Sequence, residues 1–324
     1  MPRKLKDSRL VMPTVMLGKD AVLLTTLEDL PAFLSFNTRT GHQQVLTTAP
    51  KRTSCEECFE VKRAAVNAEQ VAWLIQGGRR PDARYDERYL ELWTMPRTGG
   101  PLRMVTRLPV GGDDYSKGFQ VIDDLAIWWG FDGTWSVPLT GGEPKQILPE
   151  GTVRVTSWPW GYDRARESVI NLVTRQENKA QHLDDIEEPY CGPVWCVGWM
   201  TGQPHEAMQV VMQHVDGSKR TTVPGSPLSL TPPIRDRFTL LHPLTVSGDG
   251  SGTPVGNSRL FQLYDRCTGQ TALLGPDRAR AEATSGEIHY GAATPDMSML
   301  FWKDSATRYT VLDVSRIADS PCAG

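Results

Sequence analysis

The sequence lacks the features that would point directly to a function. No apolar run approaches the roughly 18 residues that a membrane-spanning helix needs. The 35 lysines and arginines nearly balance the 38 aspartates and glutamates, and the formal net charge of -3 argues against nucleic acid as the main partner. Neither a Gly-x-Ser-x-Gly nucleophile motif nor a His-Glu-x-x-His metal motif occurs. Glycine-rich phosphate loops are also missing, because the Gly-Gly pairs lie between two strands.

A hairpin pattern recurs along the chain instead. Leu92 to Val105 reads LWTMPRTGGPLRMV, and Trp135 to Ile147 reads WSVPLTGGEPKQI. Both consist of an apolar strand, a Thr-Gly-Gly turn and a second strand that ends in aliphatic residues. The corresponding turn residues along the whole chain are Gly41, Gly99, Gly142, Asn178, Gly217 and Gly269. Their spacing scatters around the roughly 40–50 residues that are typical of β-propeller blades.

The repeats predict an all-β chain that forms a single β-propeller domain over residues 1–324. Seven blades are favoured and six are the alternative, because the fourth repeat is poorly defined. The last blade lacks an outer strand, and we expect residues 8–12 to pair with it and close the ring, which removes an exposed sheet edge. A β-sandwich or two smaller β domains would need a linker, and none is visible. The predicted blades span 15–48, 59–109, 117–149, 152–184, 192–224, 234–275 and 287–317.

Six cysteines predict disulfide bonds. Cys55 with Cys58 and Cys191 with Cys196 are close pairs, while Cys267 lies in the outer turn of the sixth blade and Cys322 in the tail after the seventh. We therefore predict three bridges, Cys55–Cys58, Cys191–Cys196 and Cys267–Cys322, which favours an oxidising, extracellular or cell-envelope location. A zinc site is less favoured because the second pair is more widely spaced than zinc ligands usually are.

The targeting signals of the N-terminus are weak. The segment begins with basic residues, but the apolar stretch that follows is short, contains Pro13 and lacks a clear cleavage site. We expect no signal peptide in this chain, and a cytoplasmic location is the alternative.

The hairpin pattern resembles the repeats of TolB-like propellers in bacterial secreted and periplasmic proteins. Those repeats share a hydrophobic strand, Pro or Asn/Asp, Thr-Gly and a second strand. The segments Cys55-Glu-Glu-Cys-Phe59 and Cys191-Gly-Pro-Val-Trp-Cys196 are similar to those of uncharacterised actinobacterial members. The resemblance covers most of the chain as architecture and implies the propeller fold, but it carries over no catalytic residue.

Acidic loop segments and one histidine are the weak candidates for catalysis. His289 opens the innermost strand of the last blade, and with Glu287 beside it could act as a general acid and base near neutral pH. A structural hydrogen bond is the more common role for such a histidine.

If the acidic loops converge, their carboxylates could hold Ca²⁺ or Mg²⁺. Such a site would resemble the central calcium site of lactonase-type propellers. Solvated loop charges are the commoner explanation, so we predict no metal or cofactor. These acids are Glu56, Glu57, Glu60, Asp113, Asp114, Asp184, Asp185, Glu187, Glu188 and Glu287.

Aromatic residues are the other candidate contacts for a ligand. The ten tryptophans concentrate in blades three to five, and packing between blades should bury most of them. Trp158 and Trp160 are the exception, because their strand is short and lies near a loop. The residues predicted to bind a ligand are Asp113, Asp114, Tyr115, Trp158, Trp160, Tyr190 and Tyr290.

These observations favour a non-enzymatic, monomeric binding propeller that recognises a protein, peptide or glycan through one face. The alternative is a small-molecule hydrolase or lyase with an acidic, metal-assisted site at the central channel. The fold alone does not decide between them, because propellers host many unrelated activities.

Overall fold

The computed structural model describes most of the chain and divides it into two compact units. Unit 1 comprises Met1–Gly151 and His289–Val314, and unit 2 comprises Thr152–Ile288 and Ser315–Gly324. The described residues are 1–5, 7–28, 31–49, 60–77, 89–109, 118–130, 133–149, 151, 153–202, 209–227, 232–234, 236–242, 244–246, 252–254, 261–274, 288–290, 299–303, 307–317 and 322.

Unit 1 begins with three four-stranded antiparallel sheets in which the strands lie in chain order. The first sheet contains β1 (Val11–Gly18), β2 (Ala21–Thr26), β3 (Ala32–Asn37) and β4 (Gln43–Thr48). The second contains β5 (Glu60–Val66), β6 (Gln70–Gly77), β7 (Tyr89–Pro96) and β8 (Arg103–Pro109). The third contains β9 (Gly118–Ile122), β10 (Leu125–Gly130), β11 (Gly133–Pro138) and β12 (Lys145–Leu148).

Unit 2 repeats the same arrangement. Its first sheet contains β13 (Val153–Ser157), β14 (Trp160–Asp163), β15 (Ser168–Asn171) and β16 (Glu177–Lys179). The second contains β17 (Ile186–Cys191), β18 (Trp195–Met200), β19 (Gln209–His214) and β20 (Thr221–Pro224). The third contains β21 (Ser226–Pro227), β22 (Phe238–His242), β25 (Phe261–Asp265) and β26 (Gln270–Leu274), with the hairpin of β23 (Leu244–Val246) and β24 (Gly252–Pro254) inserted between its middle strands.

The last sheet has three strands, β27 (Ile288–Tyr290), β28 (Met299–Lys303) and β29 (Tyr309–Asp313), and a short helix α1 (Val314–Ile317) follows it. The described residues thus form six complete four-stranded blades and one sheet without an outer strand of its own. This confirms the all-β propeller prediction, and the six complete blades agree with the six-bladed alternative. None of the helices in the described part of the chain is long and apolar enough to cross a membrane.

The Thr-Gly-Gly turns lie where the pattern predicts, between the third and fourth strands. Gly99 follows β7 with a φ of 95°, and Gly142 follows β11 with a φ of 128°, a backbone conformation that side chains with a Cβ disfavour. The predicted turn at Asn178 is wrong, because Asn178 lies inside β16. The turn comes earlier, where the side-chain oxygen of Asn171 accepts the backbone N–H groups of Val173 and Thr174.

The N-terminus closes the outer edge of β29, but with different residues from those predicted. Arg3 N donates to Thr307 O at 2.8 Å, and Tyr309 N donates to Met1 O at 2.7 Å. Residues 8–12 do not form this edge, because β1 begins at Val11, which is fully buried and pairs with β2. A turn with a positive φ at Ser8 separates the two segments.

Apolar side chains pack between consecutive sheets within each unit, as expected for blades. In unit 1, Phe33 and Trp73 are fully buried and their ring centroids lie 4.5 Å apart. Trp128 belongs to the next cluster along, between the sheets of β5–β8 and β9–β12. In unit 2, one cluster surrounds Tyr162 and the Cys191–Cys196 pair. Packing therefore buries large aromatics, as the sequence predicts.

Candidate functional site

Each complete sheet has two distinct ends, and the described aromatic candidates lie at only one of them. At the end that we call the hairpin end, turns join the first strand to the second and the third to the fourth. Trp158, Trp160 and Tyr190 all lie at the hairpin end of unit 2, next to the β13–β14 and β17–β18 turns. The loops that enter the first strands and join the middle strands belong to the opposite end. The three aromatics are thus grouped at the hairpin end.

Several other candidates lie wholly or partly outside the described residues. Asp113, Asp114, Tyr115 and Glu287 lie outside them, as do Cys55 and Cys58. For His289 and Tyr290 the structure describes the backbone alone, which belongs to β27. Their roles remain predictions.

The acidic loop before β17 forms an ion pair. Both carboxylate oxygens of Asp185 accept hydrogen bonds from Arg220, at 3.0 and 2.6 Å, and this contact lowers the pKa of Asp185. Among the residues that the structure describes, no group of three or more His, Cys, Asp or Glu side chains could hold a metal ion.

Tyr190 connects two sheets of unit 2 through its hydroxyl group. The hydroxyl donates to the carbonyl oxygen of Val155 in β13 at 2.9 Å. Burial raises the pKa of Tyr190 to about 12, so the phenol is neutral at physiological pH. Because its only polar atom is engaged inside the protein, Tyr190 has a structural contact that explains its presence.

Trp158 and Trp160 flank Pro159 in the β13–β14 turn, where the Trp158–Pro159 peptide bond is cis. Trp160 is half-buried and packs against the cluster around Tyr162. Trp158 is also half-buried, but it is not part of that cluster. Of the predicted aromatic contacts described by the structure, Trp158 is therefore the best placed to meet a ligand.

A second group at the same end was not predicted from the sequence. Trp195 and His214 are cross-strand partners in β18 and β19, with ring centroids 4.2 Å apart in an edge arrangement. The guanidinium carbon of Arg266, in the turn after β25, lies 4.2 Å from the centroid of the Trp195 ring. Arg266 Nε also donates to the backbone carbonyl of Asp236. We call Trp195, His214, Asp236 and Arg266 the Arg266 cluster.

Two disulfides border the Arg266 cluster and agree with the sequence prediction. Cys191–Cys196 links the facing residues of β17 and β18, so it crosslinks the hairpin that carries Trp195. Cys267–Cys322 attaches the chain's tail to the residue that follows Arg266. Both bonds restrict the backbone on which the cluster is built.

Of the two neighbouring arginines, Arg237 forms an ion pair with a described carboxylate and Arg266 does not. Arg237 takes both carboxylate oxygens of Asp265, at 2.8 and 2.7 Å, which lowers the pKa of Asp265. In the described part of the chain, no carboxylate lies within 4.0 Å of the Arg266 guanidinium. Burial lowers the pKa of Arg266, and the same effect, together with the charge of Lys219, lowers the pKa of His214. Packing around its carboxyl group raises the pKa of Asp236.

His214 also contacts a serine, but not in the geometry of a catalytic triad. Ser218 Oγ lies 3.3 Å from His214 Nδ1 in the β19–β20 turn. The nearby carboxylate of Asp216 accepts the backbone N–H of Ser218 at 2.9 Å, so it braces the turn and does not orient the imidazole. The contact is therefore a feature of the hairpin turn.

Comparisons with known proteins show the fold alone. No protein-family model matches the chain, and no curated protein matches it. Among solved structures, a puromycin hydrolase aligns with a TM-score of 0.51 at 11% identity, over 85% of this chain and 46% of that chain. A Pyrococcus horikoshii acylaminoacyl peptidase aligns with a TM-score of 0.49 at 8% identity, over 89% and 47%.

An oligogalacturonate lyase in complex with manganese aligns with a TM-score of 0.38 at 10% identity, over 90% of this chain and 73% of that chain. This chain spans less than half the length of the hydrolase and the peptidase. At such low identities the alignments support no shared site, and they leave the chain identified by its architecture, a β-propeller.

Proposed function

We propose that this chain is a non-enzymatic binding propeller that recognises a protein, peptide or glycan ligand through the hairpin end of unit 2. The observation that carries the proposal is the Arg266 cluster. It places a half-buried cation on an aromatic ring at one end of the sheets, next to a hairpin whose tip residue, Val194, is 39% exposed. Exposed apolar and cationic groups on a rigid support are typical of recognition surfaces.

Rigidity supports the proposal. The β17–β18 hairpin is crosslinked by Cys191–Cys196 and hydrogen-bonded to the preceding sheet through Tyr190. A surface held in one conformation loses little entropy when it binds, which favours affinity. The same disulfides support the further proposal that the protein is secreted. We also propose that it acts as a monomer.

The alternative, a metal-assisted hydrolase or lyase, rests on Glu287 and His289. Metal analysis of the purified protein separates the two functions. A stoichiometric divalent ion whose removal abolishes hydrolysis or elimination of a small-molecule panel would favour the enzyme.

The test of the binding proposal is retention of the purified protein on arrays of peptides and glycans. We expect the wild-type protein to bind at least one class of ligand and the Val194→Asp variant to lose it, because a charge at the hairpin tip disrupts apolar contact. The matched control is Leu273→Asp, a change at an apolar residue that is 60% exposed on the outer strand β26. Equal binding by both variants, or no binding by the wild type, would overturn the proposal.

A further inference from the structure

Two adjacent arginines at the hairpin end of unit 2 have different roles. Arg237 holds Asp265 through two parallel hydrogen bonds and also donates to the carbonyl of Ile317 at 3.3 Å. Arg266 could have competed for Asp265, but that carboxylate is already engaged. The backbone of Arg266 is fixed nearby, since its N–H donates to the carbonyl of Arg237 at 3.2 Å. Arg237 therefore stabilises the fold through an ion pair, whereas Arg266 forms no ion pair with the described residues.

The guanidinium of Arg266 is oriented before any ligand arrives. Its guanidinium carbon lies over the Trp195 ring, and its Nε–H donates to the Asp236 carbonyl. Among the described residues, the two terminal nitrogens make no hydrogen bond or ion pair. They form the end of the guanidinium fork that matches the two oxygens of a carboxylate.

A second donor in the cluster is also unsatisfied. The Trp195 side chain is 2% exposed, and its indole Nε1–H is buried with no acceptor in the part of the chain that the structure describes. A buried donor without a partner is costly. The described residues therefore leave donors of both Trp195 and Arg266 without acceptors, and those of Arg266 belong to a half-buried side chain.

The chemistry of the cluster favours a peptide over an acidic sugar. A sugar ring would stack on an open aromatic face, but Arg266 already covers the Trp195 ring and His214 lies at its edge. A peptide offers a carboxylate for Arg266, backbone N–H groups for the nearby Asp236 carboxyl group, and apolar side chains for exposed Val194.

We propose that Arg266, held over Trp195 beside His214 and Asp236, binds a carboxylate of an acidic peptide. This proposal rests on the binding function proposed above and names the ligand class for the same surface. The carboxylate displaces water from the terminal nitrogens of Arg266 and supplies a counter-charge in direct contact, whereas Asp236 and Asp265 act on Arg266 only from beyond ion-pair distance.

The test compares acidic peptides with their amide counterparts. The probes are an immobilised set of Asp- and Glu-containing peptides, the same peptides with Asn and Gln at those positions, and versions with an amidated C-terminus. The proteins are the wild type, Arg266→Gln and Arg266→Lys. The control is Arg164→Gln, which changes an exposed arginine in the β14–β15 turn at the opposite end of unit 2. Thermal unfolding of each variant verifies that it is folded.

We expect acidic peptides to bind the wild type and the control about equally. Arg266→Gln should lower their affinity at least about tenfold, because a hydrogen-bonded pair with a charged group is lost. Arg266→Lys should recover part of the affinity, since it restores the charge but not the fork. Loss on replacing acidic side chains, or on amidating the C-terminus, identifies which carboxylate is bound.

Three outcomes would overturn the inference. They are equally tight binding of amide and acidic peptides, equally tight binding by Arg266→Gln and the wild type, and retention of acidic oligosaccharides alone. In each of these cases, sensitivity of the bound ligand to Val194→Asp would leave the proposed binding function standing. Absence of any retained ligand would overturn both.

Discussion

The N-terminal residues should stabilise unit 1 by closing the free edge of its last sheet. Deleting residues 1–5 removes three hydrogen bonds to Thr307 and Tyr309, one of them donated by the N-terminal ammonium group of Met1, each contributing about 1 kcal/mol. It also removes Leu5, which is 7% exposed and packs in the core cluster with Phe301 and Tyr309. Loss of a buried leucine side chain costs about 3 kcal/mol, so the deletion should lower the free energy of unfolding by about 6 kcal/mol.

The assay is urea denaturation of three proteins followed by tryptophan fluorescence. Leu5→Ala should lose about 3 kcal/mol, and the deletion of residues 1–5 should lose more. Lys4→Ala is the matched control, because Lys4 is exposed and its replacement should change stability by less than about 0.5 kcal/mol. A deletion of residues 1–5 that is no less stable than Leu5→Ala would refute the closure by residues 1–3.

Three other changes test the contacts of unit 2. Cys267→Ser should lower the free energy of unfolding by about 4 kcal/mol, and Cys191→Ser should lower it by about 2 kcal/mol. The difference arises because the two disulfides close loops of 55 and 5 residues, respectively. Equal losses of stability in denaturant titrations would contradict this order. Tyr190→Phe removes the donor to the buried Val155 carbonyl and should lower the free energy of unfolding by about 1–3 kcal/mol without changing ligand retention. Loss of binding in a folded variant would show that Tyr190 contacts the ligand. The pKa of Asp265 lies below its ordinary value of 3.8, so the ion pair stabilises the protein above that pH and this contribution is lost as the pH falls further. Asp265→Asn should therefore flatten the acid side of a plot of melting temperature against pH, and an unchanged slope would show that the pair contributes nothing.

The sequence predicts the fold well because the repeat is local. Alternating apolar residues and turn glycines determine each hairpin without reference to the rest of the chain, as at Gly99 and Gly142. The closing segment is harder to place. The positive φ at Ser8 reverses the chain there, and nothing in the local pattern distinguishes residues 1–3 from residues 8–12 as the edge strand.

The candidate site was only partly predictable, because it depends on contacts between distant segments. Trp195 and His214 meet through the register of β18 and β19, and Arg266 arrives from the next sheet. The sequence does mark the β25–β26 turn, because it contains the predicted disulfide cysteine Cys267. No sequence motif distinguishes the neighbouring Arg266 as a binding residue. Tyr190 lies near the end of β17, and its hydroxyl donates to the Val155 carbonyl, a contact that sequence patterns do not reveal.

Hydrogen–deuterium exchange of the wild-type protein, with and without the peptide best retained on the array, tests the location of the binding surface most directly. Our account predicts slower exchange on binding in residues 192–196 of the β17–β18 hairpin and in the turn that contains Arg266. Protection confined to β27, where His289 and Tyr290 lie, with no change at the hairpin end of unit 2, would contradict it.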